Sequence, residues 1–148
     1  MEPAQSPTLS SPALADRIRT FLGQPLFASV ATTDANGAPR QAVIWYRLED
    51  DGRVLVNSRV TRFWPANLQR DGRVSLAVIG TDGYAWVGLT GHVDAIDDDP
   101  ARALADIEAL AWRYHPAGPD PADLESYRAY PRITFRIAID RVHDHLED

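Results

Sequence analysis

The amino-acid sequence has 148 residues and contains neither cysteine nor lysine. Without cysteine the protein can have no disulfide bond, no thiolate nucleophile and no Cys-ligated zinc or iron–sulfur centre. Without lysine it can form no Schiff base, and all 15 basic residues are arginine. A phosphate or carboxylate ligand must therefore be bound by guanidinium groups or main-chain amides, although the same bias is equally typical of a GC-rich genome.

Positive charge is also scarce overall, because the formal net charge is −6. A negative surface disfavours nucleic acid and anionic membranes, since both require a field that attracts phosphate. No apolar run approaches the roughly 18 residues of a membrane span, and residues 1–11 lack the pattern of a signal peptide. We therefore expect a cytoplasmic protein that binds neither nucleic acid nor membrane.

The length and composition predict one globular domain. Hydrophobic residues make up 45% of the chain and charged residues 24%, which is ordinary for a protein with a single core. Proline and serine are frequent in residues 1–11. That stretch predicts a disordered tail, and residues 12–148 predict a single domain.

Alternating apolar residues and turn signals predict a mainly β architecture. The expected strands cover residues 26–33, 38–48, 53–58, 73–79, 84–93 and 132–142. Helical spacing and capping signals predict helices at residues 12–22, 61–70, 100–115 and 123–130. Six or more antiparallel strands with helices between them indicate a small β-barrel with peripheral helices.

The familiar catalytic and metal-binding motifs are absent. The chain has no Walker A loop, no G-x-G-x-x-G, no G-x-S-x-G and no H-E-x-x-H. His143 and His145 share a strand face as two metal ligands could, but no third ligand is evident, so solvent-exposed histidines are the preferred interpretation. Asp97, Asp98 and Asp99 precede a helix, where carboxylates usually act as caps. We therefore expect no metal site.

The densest chemical region lies between residues 59 and 73. Its arginines alternate with aromatic and polar residues and comprise Arg59, Arg62, Arg70 and Arg73. A strand that enters a short helix here would present free amides and guanidinium groups to an anion. A solvated helix face fits this pattern equally well. Trp45, Trp64, Tyr84 and Trp86 suit either a flat ring system with a phosphorylated tail or ordinary core packing.

The order of these segments resembles a known family. The resemblance rests on the strand Leu26 to Thr33, the turn Asp34 to Gly37 with Pro39, Trp45, Val56-Asn57-Ser58, Arg62, Asn67-Leu68, the stretch Arg70 to Leu76, Gly91 and Trp112-Arg113-Tyr114-His115. Together they resemble the pyridoxamine 5'-phosphate oxidase-like FMN-binding split β-barrel family, and most of all its branch of F420-dependent oxidoreductases. The resemblance extends over about residues 14 to 143.

The resemblance implies an antiparallel split β-barrel of six to eight strands, with peripheral helices, that forms a homodimer. It also implies that FMN or the deazaflavin coenzyme F420 binds at the dimer interface. The cofactor-binding positions that it implies are Gln41, Val43, Trp45, Asn57, Ser58, Thr61, Arg62, Trp64, Asn67, Tyr84 and Trp86. No catalytic side chain is expected, since the cofactor performs the chemistry.

Two functions follow from the resemblance. The leading expectation is an oxidoreductase that transfers a hydride from a flavin or deazaflavin to a small conjugated substrate. The alternative is a non-catalytic protein that stores, carries or senses a flavin, deazaflavin or haem-type ligand. Trp64 stands where the family usually has a phosphate-binding lysine, so this residue either stacks on the ring or weakens the contact with phosphate.

Overall fold

The computed structural model describes residues 13–147. The helices are α1 (Asp16–Leu22), α2 (Phe63–Arg70), α3 (Pro100–Tyr114) and α4 (Pro121–Arg128). The strands are β1 (Phe27–Thr33), β2 (Pro39–Ile44), β3 (Arg47–Leu48), β4 (Val54–Arg59), β5 (Arg73–Ile79), β6 (Trp86–Asp97) and β7 (Arg132–His145). The predicted mainly β architecture is confirmed. The predicted tail, residues 1–11, lies outside the described residues.

The seven strands form one antiparallel sheet in the order β2-β1-β5-β6-β7-β4-β3. The two edge strands, β2 and β3, are consecutive in the chain, and only Trp45 and Tyr46 connect them. Because consecutive Cα atoms are 3.8 Å apart, the end of β2 lies at most about 11 Å from the start of β3. The sheet must therefore curl into an open barrel with a seam between its edges.

The core fills the inside of this curled sheet. Alternate residues of β1 and β5 point inward, as the burial of Val30 and Leu76 shows. Helix α2 contributes Trp64, which is 2% exposed and whose ring centroid lies 6.1 Å from that of Phe135 on β7. A second, smaller cluster lies on the outer face, where α3 covers β4 with Leu55 at its centre.

The connection between the two edge strands differs from the sequence expectation. One strand was predicted over residues 38–48, but the structure divides it at Trp45 and Tyr46. The ring of Tyr46 is buried, and its hydroxyl donates to the main-chain oxygens of Leu22 and Gln24. These contacts direct the chain from one edge of the sheet to the other.

The last two long strands extend further than predicted, β6 to Asp97 and β7 to His145. Their pairing register shifts between Thr90 and Gly91 and again between Val93 and Ala95. A side chain at Gly91 would place its Cβ 2.0 Å from the carbonyl oxygen of Ala138, so this irregularity requires glycine.

The helix boundaries also differ slightly from the predictions. Helix α1 begins at Asp16 rather than at residue 12, which lies outside the described part of the chain. Helix α4 begins at Pro121 with Asp120 as its cap. The carboxylate of Asp99 accepts from the main-chain N–H of Arg102, which confirms the predicted capping role of this residue.

The C-terminal end of α3 is tied to the loop after α1. The guanidinium group of Arg113 donates to four main-chain oxygens, those of Leu22, Gly23, Gln24 and Tyr46. The hydroxyl of Tyr114 donates to the oxygen of Leu26 at 2.6 Å. These bonds fix α3 beside the seam. Within residues 13–147, no helix has the length and apolar character needed to span a membrane.

Candidate functional site

A cleft of about 290 Å³ lies at the seam of the barrel. It combines the end of β2, the end of β4, the start of α2, one side of α3 and the start of β7. Its lining residues are Phe27, Val43, Ile44, Trp45, Asn57, Arg59, Arg62, Trp64, Ile107, Leu110, Tyr127 and Arg132. Apolar residues predominate, with a few polar groups, which is the usual composition of a small-molecule site.

One half of the cleft is apolar and partly planar. Phe27 and Val43 are 59% and 75% exposed. The indole of Trp45 is stacked on Tyr114 with ring centroids 4.8 Å apart and an angle of 10° between the planes. Tyr114 is held in turn by its bond to Leu26. This half therefore offers a flat apolar wall of fixed orientation to a ring system.

The other half carries three arginines, Arg59, Arg62 and Arg132. Among the described residues, none of the three has a carboxylate within 4.0 Å. By contrast, Arg136 on the same strand as Arg132 pairs with Glu49 at 2.7 Å. Three unpaired cations around one cleft are an arrangement that an anion would stabilise.

Arg132 is the most buried of the three, at 7% exposure. Its Nε donates to Oδ1 of Asn57 at 2.8 Å, and its guanidinium carbon lies 5.3 Å from the ring of Tyr127. Asn57 is oriented by bonds from Nδ2 to Thr134 and to the main chain of Ala103. Burial, followed by the charge of nearby Arg62, lowers the pKa of Arg132 to about 10.

Arg59 is held from outside the cleft by the connection between α4 and β7. Its Nη2 donates to the hydroxyl of Ser126 at 3.2 Å, and its guanidinium carbon lies 4.0 Å from the ring centroid of Tyr130. Its Nε is buried and has no hydrogen-bond partner. A buried donor without an acceptor is costly. The accessible donor of this guanidinium group is Nη1, for which the described residues provide no acceptor.

Five of the predicted cofactor-binding residues line the cleft: Val43, Trp45, Asn57, Arg62 and Trp64. Arg62 is exposed and directly precedes α2 in extended conformation. Trp64 is a core residue of which only a small part borders the cleft, so little of its ring is available for stacking.

Four others lie close in the chain but do not line the cleft. Gln41 is exposed on the edge strand β2, and Thr61 is exposed between β4 and α2. Ser58 is buried and donates to the main-chain oxygen of Arg59. Asn67 is buried, and its Nδ2 donates to Thr32 and Asp34. Within the chain, these last two stabilise the frame of the site.

Trp86 is the first residue of β6 and Tyr84 lies two residues before it, and neither lines the cleft. Trp86 is stacked on His143 with centroids 4.7 Å apart, and His145 lies nearby at 5.6 Å. No cluster of three or more potential metal-ligating side chains occurs in residues 13–147. The role of Tyr84 and Trp86 in cofactor binding remains a prediction, and within one chain they do not reach the cleft.

The sequence interpretation also missed residues. The lining residues that are not among the predicted cofactor-binding positions are Phe27, Ile44, Ile107, Leu110, Tyr127 and Arg132, together with Arg59, which the sequence places only in the arginine-rich region. One signal is present, since Arg132 begins a strand whose following residues alternate Ile133, Phe135, Ile137 and Ile139 with other side chains. Arg70 and Arg73 do not join the cluster, because the first bonds to Asn67 and the second pairs with Asp71 at 2.7 Å.

Comparison with known proteins places the chain in a family. The sequence model of the pyridoxamine 5'-phosphate oxidase family matches residues 14–146. The chain belongs to this family. The resemblance inferred from the sequence motifs is thereby confirmed. A search of curated proteins found no match.

Solved structures share the fold. An F420 reductase aligns with a TM-score of 0.73 and 22% identity over 88% of this chain and 98% of its own. A conserved hypothetical protein from Mycobacterium tuberculosis aligns with a TM-score of 0.69 and 24% identity over 93% and 91% of the two chains. The haem storage protein from Vibrio cholerae aligns with a TM-score of 0.65 and 13% identity over 88% and 94%. At these identities the likeness shows the split-barrel fold alone.

Proposed function

We propose that the seam cleft binds FMN or coenzyme F420 and that the protein is an oxidoreductase acting on a small conjugated substrate. The observation that carries the proposal is the position of three unpaired arginines, Arg59, Arg62 and Arg132, beside a flat apolar wall. When bound, either cofactor supplies the hydride chemistry. The family membership and the F420 reductase among the similar structures support the choice of cofactor class.

The residues present fit such a cofactor. FMN ends in a phosphate, and F420 carries a phosphodiester with carboxylates beyond it, so each has an anionic tail and a planar ring. Nη1 of Arg59, which has no acceptor among the described residues, and the exposed guanidinium group of Arg62 are free donors for the tail. The lowered pKa of Arg132 means that its positive charge is unfavourable in the ligand-free protein, and a neighbouring anion would stabilise that charge. Val43 and Trp45 face the ring in this arrangement.

The side chains of the cleft bind and orient rather than transfer protons. The lining contains no histidine and no carboxylate. Burial raises the pKa of Tyr127, so its hydroxyl stays protonated at neutral pH and can donate a hydrogen bond. Ile107 and Leu110 exclude water from the floor of the cleft.

We also propose that the protein is a homodimer. The outer face of β1, β2 and β5 exposes Phe27, Val43 and Ile79. Between these residues the face carries small side chains such as Ser29 and Ala77, which permit close approach of a second sheet. A partner chain on this face would close the open side of the cleft. Light scattering at micromolar concentration should give twice the chain mass.

A second candidate function is non-catalytic binding of the same cofactor class. The position of Trp64 favours it, because a buried indole stands where the family usually has a phosphate-binding lysine. The haem storage protein among the similar structures shows that the fold also serves proteins of that description.

Titration of the purified protein with FMN, F420 and haem tests the proposal. Arg62→Ala should weaken FMN or F420 binding about 10- to 150-fold, because a charge-assisted bond contributes about 1.5–3 kcal/mol. The control Arg73→Ala should leave affinity unchanged, since Arg73 lies outside the cleft and pairs with Asp71. Cofactor-dependent reduction of an added acceptor would support the enzyme, and tight binding without turnover would support the carrier. Equal affinities for wild type and Arg62→Ala would refute the proposed tail site.

A further inference from the structure

Helix α4 and the residues that follow it lie on the protein surface. None of the residues of α4 is buried. Beyond the helix, Tyr130 is 47% exposed and does not line the cleft. Its ring nevertheless lies against the guanidinium group of Arg59, which does line the cleft. An exposed aromatic ring that does not line the cleft thus contacts a cleft arginine.

The guanidinium group of Arg59 can make two kinds of contact at the same time. A tyrosine ring occupies the flat face of a guanidinium group, whereas an anion binds to the N–H groups in its plane. The guanidinium carbon of Arg59 lies over the ring of Tyr130, 4.0 Å from its centroid. Nη2 donates to Ser126, whereas Nη1 has no acceptor among the described residues. The two tethers therefore leave an in-plane donor available.

We infer that Tyr130 and Ser126 are positioning residues that hold Arg59 ready for the anionic tail of the ligand. This inference rests on the proposed function. An untethered arginine side chain loses rotational freedom when it binds, and a side chain that is fixed in advance loses less. Affinity for the ligand thus depends on two side chains that do not touch it. By thermodynamic reciprocity, the bound anion also strengthens the attachment of residues 126–130 to Arg59.

Binding of FMN to single and double variants tests the inference. Tyr130→Leu is expected to weaken binding about 2- to 12-fold, because ordering one free arginine side chain costs about 0.5–1.5 kcal/mol. Tyr130→Phe keeps the ring and should bind within about twofold of wild type. In the Arg59→Ala background, Tyr130→Leu should have no further effect, because the residue acts only through Arg59.

Two additional measurements separate positioning from general support of the fold. The thermal midpoint of the ligand-free protein should be nearly the same for Tyr130→Leu and wild type, since Tyr130 is exposed. Hydrogen exchange at residues 126–130 should slow when FMN is added to wild type but not when it is added to Tyr130→Leu. The matched control is Glu108→Gln, which removes the 3.7 Å pair between Glu108 and Arg128 without contacting Arg59. It should leave FMN affinity unchanged.

The outcomes distinguish this inference from the proposed function. If Arg59→Ala and Arg62→Ala both bind FMN and F420 as tightly as wild type, both proposals are overturned. If these two variants bind weakly but Tyr130→Leu binds like wild type, only the positioning role is overturned. The positioning role is also overturned if Tyr130→Leu still weakens FMN binding in the Arg59→Ala background. The same holds if Glu108→Gln weakens binding as much as Tyr130→Leu does.

Discussion

Replacing Arg132 by methionine should weaken ligand binding without destabilising the ligand-free protein. The pKa of this buried guanidinium group is lowered from 12.5 to about 10. That difference corresponds to about 3 kcal/mol against the charged form in the folded protein. At pH 7 this destabilisation is fully present, because the pH lies below the folded pKa. It disappears only as the pH rises from about 10 to about 12.5.

The substitution also removes one favourable contact. Oδ1 of Asn57 loses the hydrogen bond that it accepts from Arg132, and leaving such an acceptor unsatisfied costs about 1–3 kcal/mol. Methionine fills most of the space of the arginine stem and adds no charge. The free energy of unfolding should therefore stay constant or increase by up to about 2 kcal/mol.

The effect on binding should have the opposite sign. An anionic tail loses a charge-assisted bond worth about 1.5–3 kcal/mol, which lowers affinity about 10- to 150-fold. Arg136→Met is the matched control, since Arg136 lies four residues further along β7 and pairs with Glu49. It should destabilise the protein by about 1–3 kcal/mol and leave affinity unchanged.

Stability is measured by urea denaturation at pH 7, monitored by tryptophan fluorescence. Affinity is measured by titration with FMN or F420. Arg132→Met should lose affinity and keep its stability, whereas Arg136→Met should lose stability and keep its affinity. This prediction is refuted if Arg132→Met loses more than about 2 kcal/mol of stability while its affinity stays at the wild-type value. That result would make Arg132 a structural residue.

Three further predictions concern the pH dependence, the helix α2 and the bulged strand β6. Affinity for FMN, measured by titration at increasing pH, should fall as Arg132 loses its proton near pH 10, and Arg132→Met should abolish this step. Trp64→Lys should lower the free energy of unfolding by about 3–5 kcal/mol in urea, since it empties a core position; wild-type stability would contradict the burial of Trp64. Gly91→Ala should lower the free energy of unfolding by more than about 2 kcal/mol, measured as a lower thermal midpoint, because its Cβ would collide with the Ala138 oxygen. Gly83→Ala has open space but a positive φ of 74°, so it should cost less, about 1 kcal/mol.

Local sequence determined most of the fold. Alternation of apolar residues in β1 and β5 follows from the two-residue period of a strand, so inward and outward positions can be assigned without a structure. The capping carboxylate of Asp99 and the proline after it define the start of α3 in the same local way. The order of these segments was sufficient to indicate the family that the comparison confirmed.

The break in the strand predicted over residues 38–48 was not visible locally. The residues around Tyr46 have the composition of a strand, and the chain turns there because the Tyr46 hydroxyl bonds to main-chain oxygens of the loop after α1. A contact between residues more than 20 positions apart thus overrides local β propensity.

The composition of the site depended on tertiary structure. The sequence by itself showed that only arginine could provide cationic side-chain donors for an anion, and it indicated the region around Arg62. It could not show that Arg59 and Arg62 converge with Arg132, which follows about 70 residues later, whereas Arg70 and Arg73 turn to other partners. Strand pairing decides which arginines converge, because β4 pairs with β7 and Arg59 lies opposite Arg132. Local periodicity specifies which face a side chain occupies, but only strand pairing specifies its neighbours.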